Sequence, residues 1–384
     1  MRTRSPARIV VLCPHPEGRA PAQRLKYEQY FPSWRKAGFE VDVRPFWSDA
    51  TSSILYQRGH MLGKAAGVAR GYLRRLRDVR DARRADLVYL FLEAAPLGPP
   101  LFERLIARAG VPIVYDIDDL VYLPHSSPAN PFMRWLRGNT EPKFEELARI
   151  ARHVIVTTEH LQRFVLGQNS HVTRIPPTLD TTRFVPRPHR DRTEGVVIGW
   201  TGSPSTSPYL HLLDDVFREL QRADDVSIRV IGDPSFQIPD VSLRVLPWQL
   251  DSEIQDLREM DIGVYPLPGN EWDKGKSGGK TRVYMALGIP TVAERLPTNR
   301  EIIDDGRNGL LASTPEEWLS ALRKLIHDPG LRRQLGDAGR ATIVERYSVA
   351  VTEPVYLRVL RSALGSSARS STQDHTDVPR TTPR

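Results

Sequence analysis

This sequence has almost no cysteine, and it lacks long apolar runs and a signal-peptide pattern. Its 384 residues include a single cysteine, Cys13, which excludes an intrachain disulfide and a metal site built from several cysteines. The longest near-continuous apolar run is Leu87 to Leu92, whereas a helix that spans a membrane needs about 20 apolar residues. The apolar stretch Ile9–Cys13 is too short for the core of a signal peptide and ends at Pro14. We therefore expect a cytoplasmic protein without a transmembrane helix.

The composition is that of a globular protein with a local excess of positive charge. Hydrophobic residues make up 40% and charged residues 26% of the chain, both ordinary fractions, and the length predicts two or three domains. The formal net charge is +8. Residues 57–84 alone contain nine basic and two acidic residues, a net charge of +7. Because the rest of the chain is close to neutral, the sequence does not indicate a nucleic-acid-binding protein.

Short apolar runs alternate with helical patterns along most of the chain. This alternation predicts an α/β fold with βαβ units and parallel sheets. The predicted strands are Arg8–Cys13, Glu40–Pro45, Leu87–Leu92, Val111–Ile117, Val154–Thr157, Val172–Ile175, Val196–Trp200, Ser227–Ile231, Ser242–Leu246, Ile262–Tyr265 and Thr291–Ala293.

Prolines and charged residues near residue 187 mark a linker between two domains. We predict a first domain over residues 1–186 and a second over 187–346. A final helical segment covers 347–364, and a tail over 365–384 is rich in Ser, Thr, Arg and Pro. We expect this tail to be disordered, because it has too few apolar residues to form a core.

Two helical patterns in the first domain have consequences below. The apolar pattern in Gln23–Ala37 predicts one helix. In residues 57–84, apolar residues recur every three or four positions, which predicts an amphipathic helix; they are Met61, Ala65, Val68, Tyr72, Leu76 and Val79. One interpretation is that this apolar face packs on the sheet and the arginines are solvated. The other is that the helix lies on an anionic membrane surface.

A glycine- and lysine-rich loop after the strand Ile262–Tyr265 carries the clearest chemical signal. It contains Lys274, Lys276 and Lys280 among several glycines, and a helix is predicted from Lys280 onward. Glycines allow a ligand to approach the backbone, a helix N-terminus offers unpaired N–H groups, and lysines add full charges. Together they describe a diphosphate site at the carboxyl end of a parallel strand. The alternative is a flexible, solvated lysine loop.

Two further polar clusters follow predicted strands. The segment 202–206 (GSPST) offers small hydroxyl-bearing residues that suit an anion, although Ser and Thr are also ordinary helix caps. Asp116, Asp118 and Asp119 close another strand. Three carboxylates in four residues are costly unless they meet a ligand, a cation or water. The alternative is that they cap the next turn or face solvent.

Several of these segments together resemble a known family. Tyr284–Ala293 (YMALGIPTVA), Asn299–Gly309 (NREIIDDGRNG) and Gly275–Lys280 (GKSGGK) look like the donor-site block and phosphate loop of the retaining family-4 glycosyltransferases, or glycosyl transferases group 1. Arg24-Leu25, Gln29-Tyr30 and Asp116–Asp119 look like the first-domain pattern of one branch. The resemblance covers roughly residues 8–360. It implies the GT-B fold, in which two Rossmann-like domains with parallel sheets face a cleft and residues 347–364 cross back to the first domain.

The resemblance implies a reaction and the substrate that each domain binds. A hexose would move from a nucleotide diphosphate-sugar to an acceptor hydroxyl, with retention of configuration and without a metal or other cofactor. The acceptor would be a carbohydrate or a lipid-linked molecule used in polysaccharide, glycolipid or other glycoconjugate synthesis. The implied donor-binding residues are Gly202, Ser203, Thr206, Lys276, Ser277, Lys280 and Glu301. The implied acceptor-side residues are Glu17, Gly18 and Arg19, with Asp118 and Asp119 as catalytic residues that orient the acceptor hydroxyl.

The sequence departs from the family pattern at the donor site. Two glutamates that the family usually carries eight positions apart fall at Gly275 and Val283. The usual arginine and lysine fall at about Ser203 and Pro208, and the usual histidine of the first domain at about Asp118. Lys276 and Lys280 can replace the lost cations, because a diphosphate needs local positive charge more than any one position. Three acids remain candidate ligands for sugar or ribose hydroxyls: Glu271, Asp273 and Glu301.

These departures keep two alternatives open. The first is a catalytically impaired GT-B protein that binds a sugar nucleotide or acts as a scaffold. The second is another GT-B activity, such as a sugar-nucleotide epimerase, against which the YMALGIP motif argues by resemblance.

Overall fold

Two parallel β-sheets organise the computed structural model, which describes residues 6–55, 57, 59–123, 137–191, 193 and 195–365. The strands of the first sheet are β1 (Ala7–Cys13), β2 (Phe39–Pro45), β3 (Leu87–Phe91), β4 (Ile113–Ile117), β5 (His153–Val156) and β6 (Val172–Arg174). Those of the second sheet are β7 (Val196–Thr201), β8 (Val226–Ile231), β9 (Leu243–Leu246), β10 (Ile262–Tyr265), β11 (Thr291–Glu294) and β12 (Leu310–Ala312). The predicted domain boundary at residue 187 lies between the two sheets.

Each sheet has the strand order of a doubly wound α/β fold. The orders are β2-β1-β3-β4-β5-β6 and β12-β11-β10-β7-β8-β9, and every strand pair is parallel. Central strands such as β3 and β4 are buried along their whole length, because helices cover both faces of a parallel sheet. The order reverses between β1 and β3 in the first sheet and between β7 and β10 in the second. Ligands bind at such reversals, beyond the carboxyl ends of the strands.

Helices connect the strands and cover the sheets. In the first half they are α1 (Pro21–Lys26), α2 (Phe31–Lys36), α3 (Asp49–Ile54), α4 (Met61–Ala82), α5 (Leu101–Arg108), α6 (Glu141–Ile150) and α7 (Glu159–Leu166). In the second half they are α8 (Asp214–Ala223), α9 (Glu253–Arg258), α10 (Glu271–Lys274), α11 (Gly279–Ala286), α12 (Pro297–Ile302), α13 (Pro315–His327), α14 (Pro329–Arg346) and α15 (Val349–Ala363). None of the helices in these described ranges combines the length and the apolar character that crossing a membrane requires.

The single helix predicted over Gln23–Ala37 is wrong. The structure divides this segment into α1, a 3₁₀ turn over Glu28–Tyr30, and α2. Pro32 lies in the first turn of α2, where a missing N–H costs nothing because that N–H would have no partner within the helix. The proline therefore starts a new helix instead of continuing the first.

The amphipathic helix is present as α4, but the predicted buried face is only partly correct. Val79 is buried, and Val68 and Tyr72 pack against the core. The sequence pattern places Met61 and Leu76 on the inner face, yet their side chains are 66% and 59% exposed. The face that packs on the domain contains small and polar residues instead, namely Lys64, Gly67, Gly71, Arg75, Asp78, Val79 and Ala82. Hydropathy alone missed these inward polar side chains, because they are paired inside the fold.

The last helix returns to the first half of the chain. On α15, Tyr356 is buried and its hydroxyl donates to the carbonyl of Lys26 at 2.8 Å. Beside it, Tyr30 and Thr352 share a hydrogen bond. Where the chain passes between the halves, its two segments bind each other: the Leu179 N–H donates to the Tyr347 carbonyl at 3.0 Å. The predicted disordered tail, apart from Gly365, lies outside the described residues.

Candidate functional site

The candidate site lies where strand ends of the two sheets meet. Asp119 follows β4 of the first sheet and Lys276 follows β10 of the second. Their side chains form an ion pair at 2.8 Å. Because carboxyl ends of parallel strands from both sheets face this point, the structure creates a cleft of the kind in which doubly wound folds bind ligands.

Three short structural units shape the lysine loop. Asn270 caps α10 by accepting a hydrogen bond from the Asp273 N–H at 3.0 Å. The chain then turns at Gly278, whose φ of 70° lies in the left-handed region that glycine adopts readily. Helix α11 begins at Gly279, one residue before the predicted start. The helix N-terminus and its two nearby lysines therefore lie beside the cleft.

Lys280 is the lysine of this loop that has no ion-pair partner among the described residues. Its ammonium lies 5.4 Å from the ring centre of Trp200 and 5.0 Å from that of Tyr265. It forms no ion pair with any residue that the structure describes. Burial lowers the pKa of Lys280 from 10.5 to about 8; the neighbouring Lys276 adds to the effect and the Asp119 carboxylate opposes it. A cation held by two aromatic faces, with no carboxylate in direct contact, is a favourable partner for an incoming anion.

The two other lysines of the loop are paired. Lys276 binds Asp119 and lies 5.1 Å from the centre of the Trp272 ring. Burial disfavours the charged form of Lys276, but the Asp119 carboxylate outweighs this and raises the pKa of Lys276. Lys274 forms an ion pair with Glu271, and both side chains are largely exposed. Lys276 and Lys280 therefore line the cleft, and Lys274 lies outside it.

The loop after β7 approaches Lys280. A Cβ atom added at Gly202 would lie 2.9 Å from the Lys280 Cε atom, so the absent side chain leaves room for the lysine. Ser203 is exposed, and its N–H donates to the Thr206 hydroxyl at 3.3 Å. The structure thus brings Gly202 and Lys280 together at the strand-order reversal between β7 and β10, with Ser203 and Thr206 in the adjoining turn.

The sequence predicts a helix over Tyr209–Leu220 after this loop, and the structure forms it in two parts. A 3₁₀ helix spans Ser207–Leu213 before α8 starts at Asp214. The expected regular α-helix start directly after the 202–206 segment is therefore wrong, and an anion site in this segment stays a prediction. The candidate anion site depends more on Lys276, Lys280 and α11.

The three candidate hydroxyl-binding acids occupy different environments. Asp273 is 1% exposed, and neither of its carboxylate oxygens has a hydrogen-bond partner among the described residues. Burial raises the pKa of Asp273, an effect that Lys276 and the nearby backbone N–H groups oppose. Glu271 is exposed beside Lys274. Glu301 pairs with Arg174 of β6 at 3.1 Å. Asp273 is thus the buried acid of the three with free acceptor capacity.

The three aspartates after β4 are also distinct. Asp116 is buried, lies 3.0 Å from the Lys26 ammonium and accepts a hydrogen bond from the Tyr89 hydroxyl, so it belongs to the interior of the first domain. Asp118 is 7% exposed. Burial raises its pKa from 3.8 to about 7, and the Asp119 carboxylate reinforces the shift. Asp119 has a φ of 53°, which is rare for a residue with a side chain and is typical of constrained sites.

The predicted acceptor-side loop follows β1, at the reversal point of the first sheet. The Gly18 N–H donates to the Glu28 carboxylate at 2.9 Å, and Arg19 pairs with Asp49 of α3 at 2.8 Å. Glu17 is exposed. The structure fixes this loop to the first domain by two contacts that the sequence pattern did not indicate.

An ion pair between the two halves of the chain was missed by sequence reasoning. Arg24 of α1 binds Glu253 of α9 through two hydrogen bonds, at 3.0 and 3.1 Å. Its guanidinium also lies 5.0 Å from the centre of the Trp248 ring, whose N–H donates to the same glutamate at 3.1 Å. The partners are 229 positions apart, and no local pattern reveals such a contact.

Arg282 of α11 is another residue that the sequence motifs did not indicate. It is buried and donates to the Ser277 carbonyl. Its guanidinium lies 4.4 Å from the centre of the Tyr347 ring. Arg282 therefore connects the phosphate-loop candidate Ser277 to the segment that leads into α15.

The two positions at which the resemblance expects glutamates lie in packed surroundings. A Cβ atom added at Gly275 would lie 2.0 Å from a side-chain carbon of Leu120 in the first domain, so no side chain fits there in this arrangement. Val283 is 8% exposed and packs in an apolar cluster with Tyr284 and Met285. Both positions contribute to packing here, and neither provides a polar ligand.

Comparison with known structures defines the class of fold. The structure of Anabaena Alr3699/HepE in complex with UDP and glucose is 17% identical, with a TM-score of 0.63 over 93% of this chain and 100% of that one. Sucrose-phosphate synthase from Thermosynechococcus elongatus is 14% identical, with a TM-score of 0.65 over 94% and 100%. A glycosyltransferase from Rickettsia africae is 11% identical, with a TM-score of 0.66 over 95% and 100%. The chain has the two-domain GT-B fold, as the sequence predicted.

One region also matches a protein family. Residues 195–328 match the family described as glycosyl transferases group 1. The match begins just before β7 and ends after α13, so it contains both the 202–206 segment and the lysine loop. The family resemblance noted in the sequence is thus found in the half of the chain that carries Lys276 and Lys280.

Proposed function

We propose that this protein is a glycosyltransferase that moves a hexose from a nucleotide diphosphate-sugar to an acceptor hydroxyl in glycoconjugate synthesis. The observation that carries the proposal is Lys280, a lysine at a helix start between two aromatic rings, without a carboxylate partner in the described structure. Support comes from the group 1 family match over residues 195–328, and from the related fold of a protein whose structure contains UDP-glucose.

In this proposal the second domain holds the donor diphosphate. Lys280 meets one phosphate directly. Lys276 leaves Asp119 and binds the other phosphate. The Asp119 carboxylate is then free to face the acceptor. The backbone at Gly202, Ser203 and Ser277, with the Thr206 hydroxyl, completes the anion site. Negative charge grows on the leaving diphosphate during transfer, so lysines already in place lower the barrier. Because these cations supply the charge, activity is expected to persist in EDTA.

Asp273 is the carboxylate that we propose for the donor hydroxyls. It has two buried acceptor oxygens and lies in the loop that carries Lys276. A sugar that donates hydroxyl hydrogens to these oxygens would satisfy a group that is otherwise costly to bury. Glu301 is a second candidate, which would have to leave Arg174 to reach the donor; Glu271 is the least sheltered.

The acceptor is proposed to bind the first domain, near Glu17, Gly18 and Arg19. Asp118 and Asp119 orient its hydroxyl. The raised pKa of Asp118, about 7, suits a group that takes up a proton near neutral pH. The proposal includes retention of configuration, which NMR of the anomeric proton in the product would test.

A panel of nucleotide-sugars tests the donor site. Thermal unfolding is measured with UDP-, GDP-, ADP- and dTDP-sugars, and Kd by calorimetry for the one that stabilises. Lys280→Ala is expected to raise Kd about 10- to 150-fold, the range for a lost charged hydrogen bond. Lys274→Ala in the same loop is the control and should leave Kd unchanged. Unaltered affinity in Lys280→Ala, or no stabilisation by any nucleotide-sugar, would refute the donor site.

The pH profile of transfer tests Asp118. If its ionised form is needed, kcat rises with pH and reaches half its maximum near pH 7. Asp118→Asn should lower kcat about 100-fold or more and remove this rise, with nucleotide affinity kept. A variant that retains the wild-type profile would remove Asp118 from catalysis. Nucleotide binding without transfer or donor hydrolysis in the wild-type protein would favour the scaffold alternative.

A further inference from the structure

Helix α4 packs on the first domain through small and polar side chains. A Cβ atom added at Gly67 would lie 2.4 Å from Thr51, and one at Gly71 would lie 2.5 Å from Phe46. Arg75 has no exposed surface and donates to the carbonyls of Ala94, Arg44 and Cys13. This inner face holds the helix closely without using its leucines.

The opposite face of α4 presents apolar side chains to solvent. Leu62, Leu73 and Leu76 are 89%, 65% and 59% exposed, and Ala66 and Ala69 between them are also exposed. At 3.6 residues per turn these five positions share one side of the helix. Single exposed leucines are common on protein surfaces, but an apolar stripe along a helix of 22 residues indicates an interaction surface.

Unpaired arginines accompany this stripe. Arg70, Arg77 and Arg80 on α4, and Arg83 and Arg84 just after it, are exposed, and none of them forms an ion pair within the described ranges. The acids nearby do not neutralise them. Asp78 pairs with the buried Arg75 at 2.9 Å, and Asp81 lies 3.5 Å from Arg44. The exposed face is therefore strongly positive.

We propose that α4 docks the first domain on an anionic lipid bilayer. Leucines along a helix can enter the acyl boundary while arginines beside them bind acidic headgroups. Charge complementarity selects an anionic surface, and the leucine stripe selects one with an apolar interior. A nucleic acid or another polyanion offers the charge alone and would leave the leucines in water.

The position of α4 gives this docking a direction. Arg75 reaches the Cys13 carbonyl at 2.8 Å, where β1 ends and the acceptor-side loop begins. Arg19 of that loop pairs with Asp49 at the start of α3, and α3 packs on α4 through Thr51. A bilayer against the outer face of α4 would therefore lie on the domain that carries the predicted acceptor-side loop, with α4 between them, whereas the donor lysines belong to the other domain.

Co-sedimentation of the full chain with vesicles tests the proposal. The vesicles are phosphatidylcholine alone, or phosphatidylcholine with phosphatidylglycerol. Binding is expected only to the anionic vesicles and should weaken at high salt. Arg70→Ala with Arg77→Ala should reduce the partition coefficient about 30-fold. Leu73→Ser with Leu76→Ser should reduce it at least about tenfold, because each leucine loses its burial in lipid.

Matched control variants distinguish binding through this surface from non-specific adsorption by exposed leucines. Leu166 and Leu212 are also about half exposed, at 52% and 49%, but lie elsewhere. Changing both to Ser should leave vesicle binding intact, and all variants should keep the wild-type nucleotide-induced thermal shift. Failure to bind anionic vesicles would overturn the proposal. Vesicle binding that depends on the arginines but not on the α4 leucines would also overturn the proposal, because a site for any polyanion would behave in this way.

Discussion

The cleft-facing edges of the two sheets carry opposite charges and are partnered differently. On the first edge, Asp116 is buried against Lys26 and Tyr89. On the second edge, Lys280 lies against two aromatic faces and forms no ion pair within the described part of the chain. The charge of Asp116 is therefore paired inside the fold. The charge of Lys280 remains available to an anionic ligand.

This difference separates structural ionic groups from those available for binding. Both sites stood out in the sequence for the same reason, since charged residues follow a predicted strand in each. Geometry distinguishes them, because removing one partner of a buried pair destabilises the fold, whereas a cation without an ion-pair partner at a helix start attracts an anion. Variants of the two residues should therefore differ in the property that they change.

The largest effect is expected at Asp116. Asp116→Ala leaves the Lys26 ammonium buried without its partner, which typically costs about 3–5 kcal/mol in the free energy of unfolding. Urea denaturation followed by circular dichroism measures this loss. The control is Asp304→Ala, which removes an exposed pair with Arg307 and should change stability by no more than about 1 kcal/mol. A loss at Asp116 as small as that of the control would show that this pair is not structural.

A smaller effect of opposite sign is expected at Lys280. Its pKa in the folded protein, about 8, is below the ordinary 10.5, so folding disfavours its charged form. This destabilisation is complete below pH 8 and disappears as pH rises through about 10.5. Lys280→Met keeps the packing between the rings and removes the charge. The variant should therefore melt a few degrees above the wild-type protein at pH 7, without nucleotide.

The pH dependence sharpens this test. The difference in melting temperature between Lys280→Met and the wild-type protein should shrink as the buffer is raised from pH 8 to above pH 10. A variant that melts below the wild-type protein at pH 7 would mean that the ammonium contributes to stability, and the contrast with Asp116 would fail.

Most strands could be predicted, because a parallel strand buried on both faces is a continuous apolar run. The predicted strand Ile262–Tyr265 has the same bounds in the structure, and Arg8–Cys13 differs from β1 by one residue. The three-residue strand β12 was not predicted. Helix breaks were also missed where 3₁₀ turns intervene, as between Glu28 and Tyr30.

Side-chain direction was harder to predict than element type. For α4 the period was correct but the predicted face was only partly correct, because the inward Arg75 reaches backbone carbonyls inside the domain. In the lysine loop the sequence identified Lys276 and Lys280 by charge and neighbouring glycines. It could not tell that one is paired across the cleft and the other is not. The Arg24–Glu253 pair joins residues that only the folded chain brings together.

The return of the chain to the first domain limits how the protein can be divided. A fragment that ends at residue 186 would lack α15, and would expose the side of α1 and the 3₁₀ turn that Tyr356 and Thr352 cover. The two connecting segments are also hydrogen-bonded to each other at Leu179. Cutting only one of them should leave the halves associated, whereas residues 1–186 should fold only when residues 347–364 are supplied, in cis or as a peptide.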